Sequence, residues 1–78
     1  MITVRYFAGA AEAAGVDAEP LPGLTAGALR RAMVAAHGPD LARVLARCSL
    51  LADGVRVDDD APVRDGATVD VLPPFAGG

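Results

Sequence analysis

Hydrophobic and polar residues alternate over the first eight positions, as they do in a β-strand with one buried face. The predicted strand covers Ile2–Ala8. The side chains expected to face the core are Ile2, Val4 and Tyr6. Arg5 and Phe7 fall on the opposite face, an unusual place for a large aromatic side chain.

A second strand and a helix are predicted next. Val16–Leu21 predicts a strand that pairs with the first as a hairpin, across the small residues of Gly9–Gly15. Thr25 is the predicted N-cap of the helix. Gly38 is the predicted left-handed C-terminal cap, and Pro39 should block continuation of the helix. The apolar stripe of this helix comprises Ala26, Leu29, Met33 and Ala36.

The second half of the chain predicts a short helix and three strands. In order, they are a helix capped by Asp40 and ending at Arg47, a buried strand at Cys48–Ala52, a return strand at Val55–Val57 and a last strand at Thr68–Leu72. The Asp53-Gly54 pair is a strong hairpin signal between the first two strands. Asp65-Gly66 predicts another turn before the last strand.

This order of elements predicts a two-layer α+β fold. A first hairpin, a crossing helix and later strands describe a β-grasp (ubiquitin-like) arrangement, with a mixed sheet packed on one main helix. The chain has 78 residues, which suffices for a single domain over residues 1–78. Residues 73–78 are expected to leave that domain as a flexible C-terminal tail.

Charge and hydropathy exclude several classes of partner. The net charge is −3 and all seven basic residues are Arg, so neither nucleic acid nor an anionic membrane is expected to bind. The apolar runs are too short to cross a bilayer. The first residues lack a charged segment followed by an apolar stretch, so we predict no signal peptide and a cytoplasmic protein. Without lysine, the chain offers no side-chain amine for an isopeptide bond.

The residues that usually perform catalysis or bind metals are scarce. Cys48 and His37 are the only cysteine and histidine, so neither a disulfide nor a zinc site is expected. We predict a buried structural thiol at Cys48 and a structural or solvated role for His37. The acidic run Asp58–Asp60 lacks the spacing of a calcium loop and predicts a solvated loop. Without a phosphate-binding loop or a nucleophile–base set, the chain is predicted to be a carried substrate rather than an enzyme.

The C-terminal segment carries the most specific chemistry. Pro73 and Pro74 lack a backbone N–H and fix φ, so they should end sheet pairing and extend the chain. Gly77 and Gly78 have no Cβ, which allows the tail, with a reach of about 20 Å, to enter a narrow channel. The terminal carboxylate is a poor electrophile. It would need activation by a partner enzyme, for example as an acyl-adenylate made from ATP.

Four segments together carry a family resemblance. They are Val4–Ala8 with Glu12 and Gly15 following, Leu51–Gly54, Val63–Val69 and Pro73–Gly78. They resemble the molybdopterin synthase small subunit, the MoaD family of ubiquitin-like sulfur carriers, and the last segment matches most closely. Ala11, Asp53 and Ala67 depart from residues frequent in that family. These departures lie away from the tail and concern partner docking more than the carrier chemistry.

The resemblance implies a function and a set of site residues. A MoeB-like enzyme would adenylate Gly78 with ATP and magnesium, and sulfur from a persulfide donor would convert the carboxylate to a thiocarboxylate. A MoaE-like large subunit, holding the catalytic groups, would transfer that sulfur to a pterin precursor. The chain itself would bind no cofactor and no metal. Its site residues would be Gly78 as the sulfur-bearing group, Gly77 and Ala76 for access, and Phe75, Pro74, Phe7 and Arg5 for partner contact.

Three alternatives stay open at this level. The first is a sulfur carrier for thiamine thiazole or cysteine synthesis, because that class shares the fold and the Gly-Gly end. The second is a protein modifier that attaches Gly78 to lysines of its targets. The third is an interaction domain whose terminal glycines are merely a disordered end.

Overall fold

A five-stranded mixed sheet with helices packed against it forms the protein in the computed structural model, which describes residues 1–74. The elements are β1 Ile2–Tyr6, α1 Gly9–Ala14, β2 Ala18–Leu21, α2 Ala26–His37, α3 Pro39–Leu45, β3 Ser49–Ala52, β4 Val55–Val57 and β5 Thr68–Leu72. The strand order is β2-β1-β5-β3-β4. β1 and β5 are parallel, and the other neighbours are antiparallel. The last strand therefore lies in the middle of the sheet, and the predicted α+β, β-grasp fold is confirmed.

The core lies between one face of the sheet and the helices. Val4, Val69 and Val71 are fully buried on the sheet side. Leu29 and Met33 of α2 are buried against them, together with further side chains of α3. The predicted inward face of β1 is confirmed, because its three members are all buried. Period-two burial along β1 and β5 leaves the other sheet face available for function.

The predicted connection Gly9–Gly15 is wrong, because residues 9–14 form helix α1. Alanine is the strongest helix former, and four alanines in six residues outweigh the absence of a large apolar stripe. Gly15 ends the helix in the left-handed region at φ 76°, where its N–H bonds to Ala11 O at 2.9 Å. β1 ends at Tyr6 rather than Ala8, so Phe7 lies just beyond the strand, and β2 begins at Ala18 rather than Val16.

Helix α2 follows the predicted pattern with two departures, at Ala36 and in the conformation of Gly38. Thr25 is the N-cap, and its Oγ1 accepts a hydrogen bond from the Ala28 N–H at 3.1 Å. Three of the four predicted stripe residues are buried, but Ala36 is exposed because Val34 and His37 occupy the inward positions of the last turn. Gly38 has φ 85° as predicted, although its ψ of −164° lies outside the left-handed helical region.

Helix α3 begins earlier than expected. Asp40 is not its cap, because Gly38 occupies that position and Pro39 is the first helical residue. Proline suits this place, since its missing N–H would have no partner within the helix. The helix ends at Leu45 rather than Arg47. Pro39 therefore stops one helix and starts the next.

The second hairpin is as predicted, apart from a strand start one residue later. Asp53 and Gly54 have φ 47° and 86°, the two positive values that a tight two-residue hairpin turn requires. The Asp53 carboxylate also accepts a hydrogen bond from the Thr68 N–H at 3.0 Å, which ties the turn to β5. Cys48 is buried with 8% exposure, which confirms the predicted buried thiol.

Candidate functional site

The root of the C-terminal tail lies at the end of the central strand. β5 is paired with β1 on one side and β3 on the other until Leu72. Pro73 and Pro74 follow outside the sheet, half-buried and exposed respectively. The predicted site residues Phe75, Ala76, Gly77 and Gly78 lie outside the described residues. Because β5 is paired with a strand on each side, the tail starts from one of the most firmly held positions of the fold.

Arg5 lies on the sheet face turned away from the core, as predicted. The parallel register places Arg5 beside Asp70. The guanidinium donates two hydrogen bonds to this carboxylate, from Nε to Oδ1 at 2.6 Å and from the second terminal nitrogen to Oδ2 at 2.8 Å. These hydrogen bonds, and then the carboxylate charge, raise the pKa of Arg5. Bidentate pairing orients the guanidinium, so Arg5 presents a rigid polar surface.

Phe7 lies next to Arg5 and is 38% exposed. The Arg5 guanidinium carbon is 5.6 Å from the centre of the Phe7 ring, within the range of a cation–π contact. The ring is therefore held between a charged neighbour and solvent rather than packed in the core. The structure brings two of the predicted partner-binding residues together, near the end of β1 and one strand from the tail.

Two leucines that the sequence did not single out extend this surface. Leu72 of β5 and Leu51 of β3 are half-buried, and the register puts both on the same sheet face as Asp70. We call the surface formed by Arg5, Phe7, Leu51, Asp70 and Leu72 the outer face. It combines apolar area with one rigid ion pair, and it reaches the root of the tail at Leu72. Only strand register could reveal it, because its members are far apart in sequence.

A half-buried polar network stands on the opposite side of β1. The Tyr6 hydroxyl donates to Glu19 Oε2 at 2.6 Å, and the same oxygen accepts a hydrogen bond from Nε2 of His37. The Tyr6 and His37 rings meet edge to face with centres 5.8 Å apart. The network joins β1, β2 and the end of α2, so the predicted structural role of His37 is confirmed. Burial, and then the hydrogen bond to Glu19, raise the pKa of Tyr6.

The Glu19 carboxylate makes the stability of this network depend on pH. Burial alone would raise its pKa, but hydrogen bonds from Tyr6 and His37, and the His37 charge, together lower it below the ordinary value of 4.5. A carboxyl with a lowered pKa stabilises the folded state fully above its unfolded-state pKa. That contribution disappears as the pH falls through the folded-state value.

We therefore expect Glu19→Gln to lower the free energy of unfolding by about 1 kcal/mol near pH 7. The difference from wild type should shrink once the pH falls below 4.5. Denaturant titrations at several pH values from 7 to 3 provide the measurement. Glu12→Gln is the matched control, since Glu12 is exposed on α1. A difference for Glu19→Gln that stays constant across this range would contradict the prediction.

The described part of the chain provides little for catalysis by itself. No cluster of three or more His, Cys, Asp or Glu side chains suited to a metal occurs within residues 1–74. Burial raises the pKa of the Cys48 thiol despite the opposing charge of Arg30, and the thiol donates to Val44 O at 3.2 Å. Raising the pKa keeps the thiol protonated, which makes it a poor nucleophile. Across the same residues, no helix is both long and apolar enough to span a bilayer.

Comparisons with known proteins agree on the class. The profile described as "ThiS family" matches residues 4–78. Small archaeal modifier protein 1 of Haloferax volcanii is 27% identical, with a TM-score of 0.80 over 99% of this chain and 98% of that one. A putative molybdopterin converting factor subunit 1 from Pyrococcus furiosus is also 27% identical, with a TM-score of 0.81 over 95% and 97% of the two chains.

A third structure shows a similar fold within an assembly. It is a complex of subunits 1 and 2 of a molybdopterin-converting factor from Helicobacter pylori, 22% identical, with a TM-score of 0.71 over 99% of this chain and 97% of that one. No curated protein sequence matches the chain.

The fold and the tail root define a ubiquitin-like carrier protein of the β-grasp class. The chain belongs to the ThiS family, and the resemblance to MoaD-like sulfur carriers is confirmed. Small carriers of this kind are not themselves catalytic. The neighbours span converting-factor subunits and archaeal modifiers, so the family assignment leaves the pathway to be proposed.

Proposed function

We propose that the protein carries sulfur on Gly78 for the synthesis of molybdenum cofactor, as the small subunit of a molybdopterin synthase. The observation that carries the proposal is the sequence of residues 73–78, which follows the central strand of a ThiS-family fold. The exposed Phe7 ring lies just after the neighbouring strand β1. Similarity to a putative molybdopterin converting factor subunit 1 favours this pathway.

The chemistry proceeds in two steps on the terminal carboxylate. An activating enzyme uses ATP and magnesium to form the acyl-adenylate of Gly78 and release pyrophosphate. In the second step the outer sulfur of a persulfide donor attacks the acyl carbon and displaces AMP. A thiol then attacks the donor's own sulfur in the resulting acyl disulfide, which releases the thiocarboxylate and leaves the donor as a disulfide. Gly77 and Ala76 let this end pass through a narrow channel, because neither side chain extends beyond a methyl group.

In this proposal, residues around the tail root contact the partner. Phe75 and Pro74 would line the mouth of the channel, and the Phe7 ring held by Arg5 would dock on the large subunit. Rigid aromatic side chains are favoured in such places, because they bury a large area with little loss of conformational entropy. The acid–base groups for transfer to the pterin precursor would belong to the large subunit.

Intact mass spectrometry tests the carrier chemistry. The protein is incubated with the host's activating enzyme, ATP, magnesium and a sulfur donor, beside a control lacking Gly78. We expect the mass to rise by the difference between one sulfur and one oxygen, localised to Gly78, in the full chain only. An unchanged mass, with an enzyme that turns over another carrier, would refute the carrier function.

The pathway is tested by adding the large subunit and the pterin precursor. Production of molybdopterin from the thiocarboxylated protein supports the proposal. A thiocarboxylate that the large subunit does not consume would instead indicate thiazole or cysteine synthesis. Identifying the large subunit that co-purifies with the chain separates these pathways.

Protein modification is a second candidate function, favoured by the similarity to small archaeal modifier protein 1. The same activated Gly78 would then be attacked by lysine amines of target proteins. Denaturing gels should show adducts of higher mass that resist thiol reductants. Since the chain contains no lysine, chains linked through its own lysine side chains cannot form.

A further inference from the structure

A groove of about 990 Å³ opens beside the tail root, on the side away from the outer face. Helices α1 and α3 form its walls, and Pro73 and Pro74 close one end. Its apolar lining includes Ala13 of α1 and Val44 of α3. We call this feature the root groove. It differs from the outer face because its walls are helices, and nothing in the known chemistry of the tail accounts for it.

The charged side chains that line the root groove do not all form ion pairs. Arg43 and Asp40, both on α3, form an ion pair with each other. Arg47 follows α3, lines the groove and is exposed, and it makes no ion pair within residues 1–74. Glu12 of α1 also lines the groove, is exposed and forms no ion pair within the same residues. Next to its apolar floor, the groove therefore presents one guanidinium, on α3's side, and one carboxylate, on α1, that have no ion-pair partner in the described part of the chain.

The length of the tail places this groove inside the contact area of any enzyme that takes up Gly78. Four residues follow Pro74, and they span at most about 14 Å when fully extended. If the reactive site of an enzyme lies inside a channel, the mouth of that channel must therefore contact the surface surrounding Pro74. That surface includes the outer face on one side and the root groove on the other.

We propose that the root groove binds a segment of the large subunit at the mouth of its channel, with an apolar side chain on Ala13 and Val44 and a carboxylate paired with Arg47. This inference rests on the proposed function. An apolar floor accepts an apolar side chain, and an available guanidinium attracts a carboxylate and binds it in a planar, bidentate manner. The small subunit would thus be held on both sides of its tail, which fixes the direction in which the tail enters.

The charged contact is tested with Arg47→Gln. Association with the host's large subunit is measured by surface kinetics at several salt concentrations. Arg31→Gln is the matched control, because Arg31 is exposed on α2 and lines a neighbouring groove that does not include Pro73 or Pro74. We expect Arg47→Gln to slow association about fivefold and to reduce its salt dependence, since charges at the rim of an interface act mainly on the association rate. Equal rates for wild type and Arg47→Gln would overturn the inference.

The apolar contact is tested with Gly9→Gln, which adds a side chain at the edge of the root groove. A Cβ at Gly9 meets no atom within 4 Å, so the first atom of the new side chain has room in the free protein. Ala35→Gln, in the other groove, is the control. We expect affinity for the large subunit to fall about tenfold for Gly9→Gln and to be unchanged for Ala35→Gln. Unchanged affinity in both variants would contradict an occupied groove.

The failures of the two proposals are distinguishable. If wild-type protein forms neither a thiocarboxylate nor a complex with the large subunit, the proposed function itself fails. If wild type binds the large subunit and the groove variants bind it equally well, only the root-groove inference fails. A loss of binding that is seen only with the activating enzyme would also overturn the root-groove inference, because the groove would then bind a different partner.

Discussion

One extra alanine after Gly78 is expected to abolish sulfur transfer and to leave the fold intact. The carboxylate would move by one residue, about 3.4 Å, from the position at which the activating enzyme attacks it. Displacement of a reacting group by about 1 Å already costs about 100-fold in rate, so we expect a loss of at least about 100-fold. The added residue lies seven positions beyond Leu72, the last residue of β5, so it should make no contribution to the sheet.

Molybdopterin synthesis and thiocarboxylate formation are both measured for this extended variant. Intact mass must show that the extra alanine remains in place throughout. As a control, the same alanine is removed by a carboxypeptidase, which should restore activity to the identical preparation. Full activity of the variant with its alanine retained would refute a role for the Gly78 carboxylate.

Phe75→Ala is expected to weaken the complex with the large subunit by about 2 kcal/mol, or about 30-fold in affinity. Aromatic side chains that fill a pocket at the centre of an interface commonly dominate binding. Phe75 follows directly after Pro74, at the point where the tail must enter a partner. The fold should be unaffected, because the core formed by the described part of the chain lies within residues 2–71.

Isothermal titration calorimetry of the large subunit with the Phe75→Ala variant measures this loss of affinity. Leu24→Ala is the control, because Leu24 is an apolar side chain with 83% exposure in the segment that precedes α2. Affinity that is unchanged for both variants would contradict an anchoring role for Phe75. A loss in both variants would indicate a nonspecific effect of removing apolar surface.

Most elements were predictable, because their signals are local. Alternation identified β1 and β5, Thr25 identified the start of α2, and the Asp53-Gly54 turn identified the second hairpin. Helix α1 was missed for a physical reason. Its alanines carry helix propensity but no large side chains, so no apolar period appears in a segment of six residues.

The ends of the helices depended on tertiary contacts rather than on residue type. Ala36 fits the apolar spacing of α2 and is nevertheless exposed. At that turn the neighbouring β2 offers the Glu19 carboxylate, and His37 faces inward to bind it. A polar contact between distant segments thus decides which side of the last turn is buried, and the apolar period alone does not contain that information.

The sequence by itself determined the carrier class. The terminal Gly-Gly and the double proline before it have backbone properties that follow from the residue types alone. The order of the strands and the helix can likewise be inferred along the chain. Only the tertiary structure decided the surfaces around the tail. Arg5 and Asp70 are separated by 65 positions and meet because β1 and β5 are parallel neighbours. The root groove exists because α1, whose sequence shows no apolar period, packs beside α3. Both surfaces depend on contacts between segments that are distant in sequence, and such contacts are fixed only when the whole core forms.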